Sequence, residues 1–139
     1  MSKLFSPKPI MQDGGIAAIR IITGIFLLYH GLEVFDADKI KEYAAWDMFK
    51  ISSHPVLMPY IGKTAELVAG CMLLLGLLTR IACVIIAGTM LYITFIIGHG
   101  KVWYDDQHPF LFVLLAAMFF FTGPGCLSID GMLFNKKQA

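Results

Sequence analysis

The sequence predicts an all-α membrane protein, an antiparallel bundle of four transmembrane helices with an amphipathic interfacial helix in its first loop. Composition is the first reason. Of the 139 residues, 58% are hydrophobic and 15% are charged, whereas soluble domains are about half apolar and about a quarter charged. The second reason is that four long apolar segments cover most of the chain and none of them shows the alternation of a β-strand. The length is that of a single domain.

The four segments predict spans at about residues 16–35, 60–78, 81–98 and 104–122. Spanning a bilayer takes roughly 17–25 residues, so we expect the fourth helix to begin within the loop that precedes Pro109. The very short connection at Thr79 and Arg80 predicts a tight antiparallel hairpin of the second and third spans.

The loop between the first two spans carries an apolar face. Ile40, Tyr43, Trp46 and Phe49 recur every three residues, as expected for an amphipathic helix. Such a helix either lies on the membrane surface or caps the bundle.

Composition also limits the function. A net charge of +1 provides no basic surface for nucleic acid. Cys71, Cys83 and Cys126 lack the paired spacing of a zinc or thiol-disulfide site, so we interpret them as isolated thiols.

The orientation follows from lysine and arginine residues near the ends of the spans. An arrangement with both termini inside places six of them on the inner side and five on the outer side. This arrangement predicts a bacterial inner-membrane protein with cytoplasmic termini. The N-terminal tail has no compact apolar region and no convincing cleavage site, which predicts an uncleaved first span. In this arrangement Arg20 and Arg80 are structural residues that extend to the inner interface. The inner set is Lys3, Lys8, Arg20, Arg80, Lys136 and Lys137, and the outer set is Lys39, Lys41, Lys50, Lys63 and Lys101.

Small residues indicate how the first two spans pack. Ala17, Gly24 and Gly31 repeat every seven residues in the first span, which suits close approach of a neighbouring helix backbone. In the second span Gly62, Ala65, Glu66, Ala69, Leu73 and Gly76 share one face. These small-residue faces could pack within the bundle or between protomers of a homo-oligomer, and in either case Glu66 points away from lipid.

Polar residues converge in the outer half of the predicted bundle. Glu66 lies about 9 Å along the helix from Tyr60 at 1.5 Å per residue. His30 and Glu33 end the first span on the same side, and Thr23 shares their helical stripe. His99 and His108 lie at the neighbouring ends of the third and fourth spans. A carboxylate buried in a bundle needs a partner, and His30 and His99 are the partners we expect for Glu66.

Three chemistries could use this cluster. A histidine and a carboxylate can bind the oxygens of a quinone and exchange protons with it. Two or three histidines with Glu66 could hold a metal, although their spacing follows no strict motif. The outer mouth could also bind an apolar ligand or a partner subunit, in which case the polar groups only join helices. The candidate residues are Glu66 and His30 for catalysis and Glu33, His99, His108 and Thr23 for ligand binding.

Three stretches together resemble the DoxX family of small four-helix membrane proteins. They are RIITGIFLLYHGLEVF (Arg20 to Phe35), GKTAELVAGCMLLLGLLTRIA (Gly62 to Ala82) and GPGCLSID (Gly123 to Asp130). The chain most resembles members that have a long first loop and an HGK…DDQHPF stretch, here His99 to Phe110. The resemblance implies a four-helix integral membrane fold and, for some members, a link to quinone reduction. In the family a lysine often follows the first histidine-glycine pair, whereas this chain has Glu33 and Val34 in that region.

From these observations we expect a redox-associated protein in the lipid bilayer that binds a quinone or a similar small ligand in the outer half of its bundle. The alternative is a non-catalytic subunit or scaffold for a partner oxidoreductase.

Overall fold

The computed structural model describes residues 7–51 and 53–134, and within them the secondary structure is helical, with no strand. The predicted all-α architecture is confirmed. Lys3, Lys136 and Lys137, which enter the predicted orientation, lie outside the described residues. The helices are α1 (Gln12–Gly31), α2 (Ala37–Ala44), α3 (Asp47–Lys50), α4 (Leu57–Leu75), α5 (Thr79–Tyr92), α6 (Gln107–Thr122) and α7 (Ile129–Phe134).

Two of the long helices change their winding at the same end of the bundle. A 3₁₀ turn, Leu32–Phe35, extends α1, and a π-helical segment, Ile93–Ile97, extends α5. With these extensions α1, α4 and α5 are long and apolar enough to cross a membrane, whereas α6 is a shorter apolar helix of 16 residues.

The four long helices form a ring around one core. Helix α1 packs along α4, α4 against α5, and α5 against α6, while α6 meets α1 over a much smaller contact. Leu27, Leu73, Ile86 and Phe119 are almost fully buried at the centre. Many apolar side chains on the outside of the ring are exposed, as expected for a surface that faces lipid.

Glycine allows α1 and α4 to approach closely. A Cβ atom added at Gly31 would clash with the backbone nitrogen of Leu67, and one at Gly24 would lie 2.7 Å from that of Leu74. Gly70 of α4 faces the backbone of α1 in the same way. The predicted close approach of a neighbour to Gly24 and Gly31 is therefore confirmed, and that neighbour is in the same bundle.

The end of the bundle that carries the α4–α5 turn, called the inner end below, is organised by Arg20. Its side chain is completely buried and donates hydrogen bonds to four carbonyl oxygens. Two belong to the last turn of α4 and two to the segment between α6 and α7. The expectation that Arg20 extends to the interface is wrong, because these carbonyls at the end of α4 and in the C-terminal segment hold the guanidinium inside the protein. The acceptors are Leu73, Leu74, Pro124 and Leu127.

The C-terminal segment is bound to the inner end by a second set of hydrogen bonds. Asp130 accepts from the backbone N–H groups of Leu78 (2.7 Å) and Thr79 (2.8 Å), so that a side chain of α7 caps the N-terminus of α5. The N–H of Cys126 donates to the carbonyl of Asp13. Both described ends of the chain therefore lie at the inner end, while Arg80 is exposed there.

The first loop caps the opposite, outer end. The single amphipathic helix expected there is divided into α2 and α3, because Trp46 has extended backbone angles. Asp36 caps α2 by accepting from the N–H groups of Asp38 and Lys39. Ile40 and Phe49 are buried, so the apolar face covers the bundle.

Candidate functional site

An apolar cavity of about 220 Å³ lies at the outer end, and we call it the outer cavity. The side chains around it come from α1, the first loop, α4, α5 with its π segment, and α6. They are His30, Tyr43, Trp46, Phe49, Met58, Pro59, Gly62, Lys63, Glu66, Thr89, Met90, Tyr92, Ile93, Ile97, His108, Pro109 and Phe112.

Lys63 and Glu66 on one wall of the outer cavity belong to an ion cluster that also includes Glu33, a predicted ligand-binding residue that is absent from the cavity lining. The Nζ atom of Lys63 lies 2.8 Å from Oε2 of Glu33 and 3.0 Å from Oε2 of Glu66. The hydroxyl of Tyr43 donates to Oε2 of Glu33 at 2.7 Å, and Lys63 Nζ lies 5.1 Å from the centroid of the Tyr43 ring. We call Glu33, Tyr43, Lys63 and Glu66 the lysine–carboxylate cluster.

Three separate elements build this cluster. Lys63 and Glu66 are three residues apart on α4, a spacing at which side chains of one helix meet. Glu33 lies in the 3₁₀ turn that extends α1, and Tyr43 lies on α2. The Glu66 side chain is 5% exposed and that of Lys63 is 15% exposed, so water screens their attraction only weakly.

The phenol of Tyr43 shows the effect of this environment on ionisation. Burial raises the pKa of Tyr43 far above its ordinary value of 10.0, and its hydrogen bond to the Glu33 carboxylate raises it further. Tyr43 is therefore a hydrogen-bond donor throughout the physiological pH range.

Two imidazoles from different helices meet at another wall. The ring centroids of His30 on α1 and His108 on α6 lie 5.6 Å apart in an edge-to-face arrangement. The ring of His108 also packs against that of Phe112 at 5.2 Å. His30, Glu66 and His108 thus line the same cavity, as their predicted depths suggested.

The π segment forms part of a further wall. The N–H of Gly98 donates to the carbonyl of Ile93, five residues back, and Ile93 and Ile97 line the cavity. Such π turns recur at functional sites in α-helices. Nothing in the apolar sequence of α5 indicated this one.

A second depression, the α1–α6 groove, lies beside the outer cavity where the ring of helices is most loosely closed. Its volume is about 380 Å³. Thr23 lies in this groove and is absent from the lining of the outer cavity, and its hydroxyl donates to the carbonyl of Ile19 in its own helix. The groove is lined by Ile19, Ile22, Thr23, Phe26, His108, Leu111, Phe112 and Leu115.

The expected partners of Glu66 have to be corrected. Its ion-pair partner is Lys63. His99 is exposed and does not line the outer cavity. Asp106 accepts from the N–H groups of His99 and Lys101, and this holds the loop in a conformation that leaves His99 outside.

Sequence reasoning missed Lys63 and Tyr43 as members of the site. Lys63 was counted only as an outer charge, although its three-residue spacing from Glu66 could have identified the pair. Tyr43 was assigned to an apolar face. No signal in the sequence linked it to Glu33, because that contact depends on how the first loop folds back.

Among the described residues, the histidines and acids are not grouped as metal ligands. Across the part of the chain that the structure describes, no group of three or more histidine, cysteine, aspartate or glutamate side chains is placed to hold a metal ion.

The ring of apolar helices, with a lipid-facing surface and a polar cluster buried near one end, is that of a small helical membrane protein. Comparison with known proteins identifies the family: the family model of DoxX matches residues 15–99, more than half of the chain. The protein therefore belongs to the DoxX family and is an integral membrane protein. A curated protein of Bacillus subtilis (strain 168), "Putative oxidoreductase CatD", is 26% identical over 125 residues, which cover 89% of this chain and 90% of CatD. No solved structure shows a significant match.

Proposed function

We propose that this protein is a redox-associated membrane protein that binds a quinone, or an aromatic ligand of similar size, in the outer cavity. Membership of the DoxX family and similarity to a protein named as an oxidoreductase support the redox association. The observation that carries the ligand is that one apolar cavity has Lys63 and Glu66 on one wall and His30 and His108 on another.

The size and lining of the outer cavity fit a substituted quinone ring. A cavity of about 150 Å³ with apolar walls holds benzene, so about 220 Å³ leaves room for small ring substituents. Aromatic side chains, among them Trp46 and Phe112, supply flat apolar surface.

The polar groups fit the chemistry that such a ligand needs. Reduction of a bound quinone to the quinol takes up two electrons and two protons. The Lys63 ammonium and an imidazole N–H can donate hydrogen bonds to its oxygens, and Glu66 and His30 can exchange protons with them. The described chain supplies binding and proton transfer, and the electrons would come from a redox cofactor in a partner oxidoreductase.

One observation favours the alternative of a non-catalytic scaffold. Lys63 already forms ion pairs with both carboxylates of its cluster, and Tyr43 donates a hydrogen bond to one of them. These groups need no ligand to be satisfied, so they could serve only to join α1, α2 and α4 beneath a docked partner subunit.

The orientation is part of the proposal. Both described ends of the chain lie at the inner end of the bundle, and we place that end on the cytoplasmic side of a bacterial inner membrane. Cys126 is exposed at the inner end, so a variant retaining only this cysteine should react with a membrane-impermeant maleimide in inverted vesicles. Reaction in right-side-out vesicles alone would reverse the orientation.

Quinone binding can be tested through the two tryptophans. Trp46 lines the outer cavity, whereas Trp103 is 82% exposed and lies outside it. In a Trp103→Phe background, a short-chain benzoquinone should quench the fluorescence of Trp46 to saturation at low concentration. The matched Trp46→Phe protein should show only weak, linear quenching of Trp103.

Variants of the site complete the test. In the Trp103→Phe background, Glu66→Gln and His30→Ala should weaken saturable quenching while the circular-dichroism spectrum stays helical. Wild-type quenching curves for both folded variants would exclude the proposed site. Absence of saturable quenching in the parent, together with a stoichiometric co-purifying partner, would favour the scaffold.

A further inference from the structure

We infer that the ligand of the outer cavity is a membrane-dissolved molecule with a long apolar tail, and that it enters sideways from the bilayer between α1 and α6. This inference rests on the proposed function, since it concerns the same site. It adds a class of ligand and a route.

The first observation is continuity between the outer cavity and the α1–α6 groove. His108 and Phe112 line both of them. A molecule in the cavity therefore lies one layer of side chains from the groove. His108 and Phe112 belong to this layer, and the ring of His108 contacts that of His30 across the two helices.

The second observation is that α1 and α6 pack only loosely against each other. Helices α1 and α6 touch far less than the other neighbouring pairs of the ring. His108 is exposed, and exposed side chains change rotamer within nanoseconds. Rotation of His108, with a shift of the Phe112 ring that lines both spaces, would join them without separating the close glycine contact of α1 with α4.

The third observation is that the groove suits a hydrocarbon chain. Its walls are apolar apart from His108 and Thr23, and the Thr23 hydroxyl is already bonded within α1. Ile22 and Leu111, from the two facing helices, are both about half exposed. The outer cavity is too small to hold a long tail as well as a ring, so the tail must leave it, and the groove is an apolar exit.

The test compares two quinones with the same head, one without a tail and one with a ten-carbon tail, in nanodiscs of the Trp103→Phe protein. The double variant Ile22→Phe/Leu111→Phe narrows the groove with rings that do not fluoresce. We expect it to weaken binding of the tailed quinone by at least about fivefold, because overpacking a filled site is costly. Binding of the tail-less quinone should not change.

A matched control uses the same substitutions on exposed neighbours. Ile25 and Leu114 are 52% and 53% exposed and lie outside both spaces. The double variant Ile25→Phe/Leu114→Phe should bind both quinones as the parent does. Equal binding of the tailed quinone by the two double variants would overturn the lateral route. Failure of the tail-less quinone to bind the parent protein would instead contradict the proposed function.

A photoreactive group near the start of the tail gives an independent readout. It should label the side chains of the groove, with Leu111 and Leu115 as expected sites. Labelling confined to Met58 and Tyr92 would place the exit between α4 and α5 and overturn the route proposed here.

Discussion

Replacement of the buried Arg20 by lysine should destabilise the whole bundle. The guanidinium of Arg20 donates to four carbonyl oxygens that lie in two different directions, toward α4 and toward the C-terminal segment. A lysine ammonium is a single point with three donors, so it cannot reach both groups. A hydrogen bond from a charged donor contributes about 1.5–3 kcal/mol, and we expect Arg20→Lys to lower the free energy of unfolding by about 3 kcal/mol.

The measurement is thermal unfolding of the purified protein in mild detergent, followed by circular dichroism. For a chain of this size, the expected loss corresponds to a fall in Tm of about 10 °C. Arg80→Lys is the matched control, because Arg80 is exposed at the same end and its replacement should leave Tm nearly unchanged. Equal Tm values for wild type and Arg20→Lys would refute the claim that the four carbonyls depend on the guanidinium.

Three further predictions concern the close helix contact and the outer cluster. Gly31→Ala should lower the free energy of unfolding by about 1–3 kcal/mol because it overpacks the contact of α1 with α4. Gly88→Ala should not lower it, because an added Cβ there meets nothing within 4 Å; unfolding by chemical denaturant measures both. Lys63→Met should lower the free energy of unfolding by about 3 kcal/mol because it leaves the buried Glu66 carboxylate without its ion-pair partner. Lys50→Met, in an exposed pair, should lower it by less than about 1 kcal/mol, and a loss as small as that for Lys63→Met would contradict the reasoning. The pKa of Tyr43 is higher in the folded than in the unfolded protein, so its contribution to stability is complete below the unfolded pKa of about 10 and is lost at higher pH. Tm should therefore fall more steeply above pH 10 in wild type than in Tyr43→Phe. Parallel curves of Tm against pH would contradict this.

Hydropathy and helical spacing are sufficient to predict the long helices and the close approach of a neighbouring helix to Gly24 and Gly31. A continuous apolar run has few alternatives to a spanning helix, and a seven-residue repeat of small side chains predicts close approach wherever the neighbouring helix lies. The sequence also predicts the depth of each residue in the bilayer, and it places His30, Glu66 and His108 at similar depths in the outer half of the bundle.

The pairing of side chains was less predictable, because depth does not fix the direction in which a residue faces. His99 has the right depth, but its loop conformation depends on Asp106, seven residues away in the chain. Arg20 looked like an interfacial residue until the C-terminal segment supplied carbonyl partners from residues 124 and 127. Hydropathy indicates whether a residue lies in water or in apolar surroundings, but it does not indicate whether those surroundings are lipid or protein.

The distance between the inner end and the lysine–carboxylate cluster leads to a last prediction, that their contributions to stability are additive. Glu66 and Leu73, whose carbonyl accepts from Arg20, are seven residues apart on α4, or about 10 Å of helix. They share no hydrogen-bond partner, and sites at this separation couple by less than about 0.5 kcal/mol. The double variant Arg20→Lys/Glu66→Gln should therefore lose the sum of the two single losses in unfolding free energy. A coupling energy above about 1 kcal/mol between the two substitutions would show that the two ends form one cooperative unit. Weaker quinone binding by Glu66→Gln would then reflect a less stable bundle as much as a change in the cavity itself.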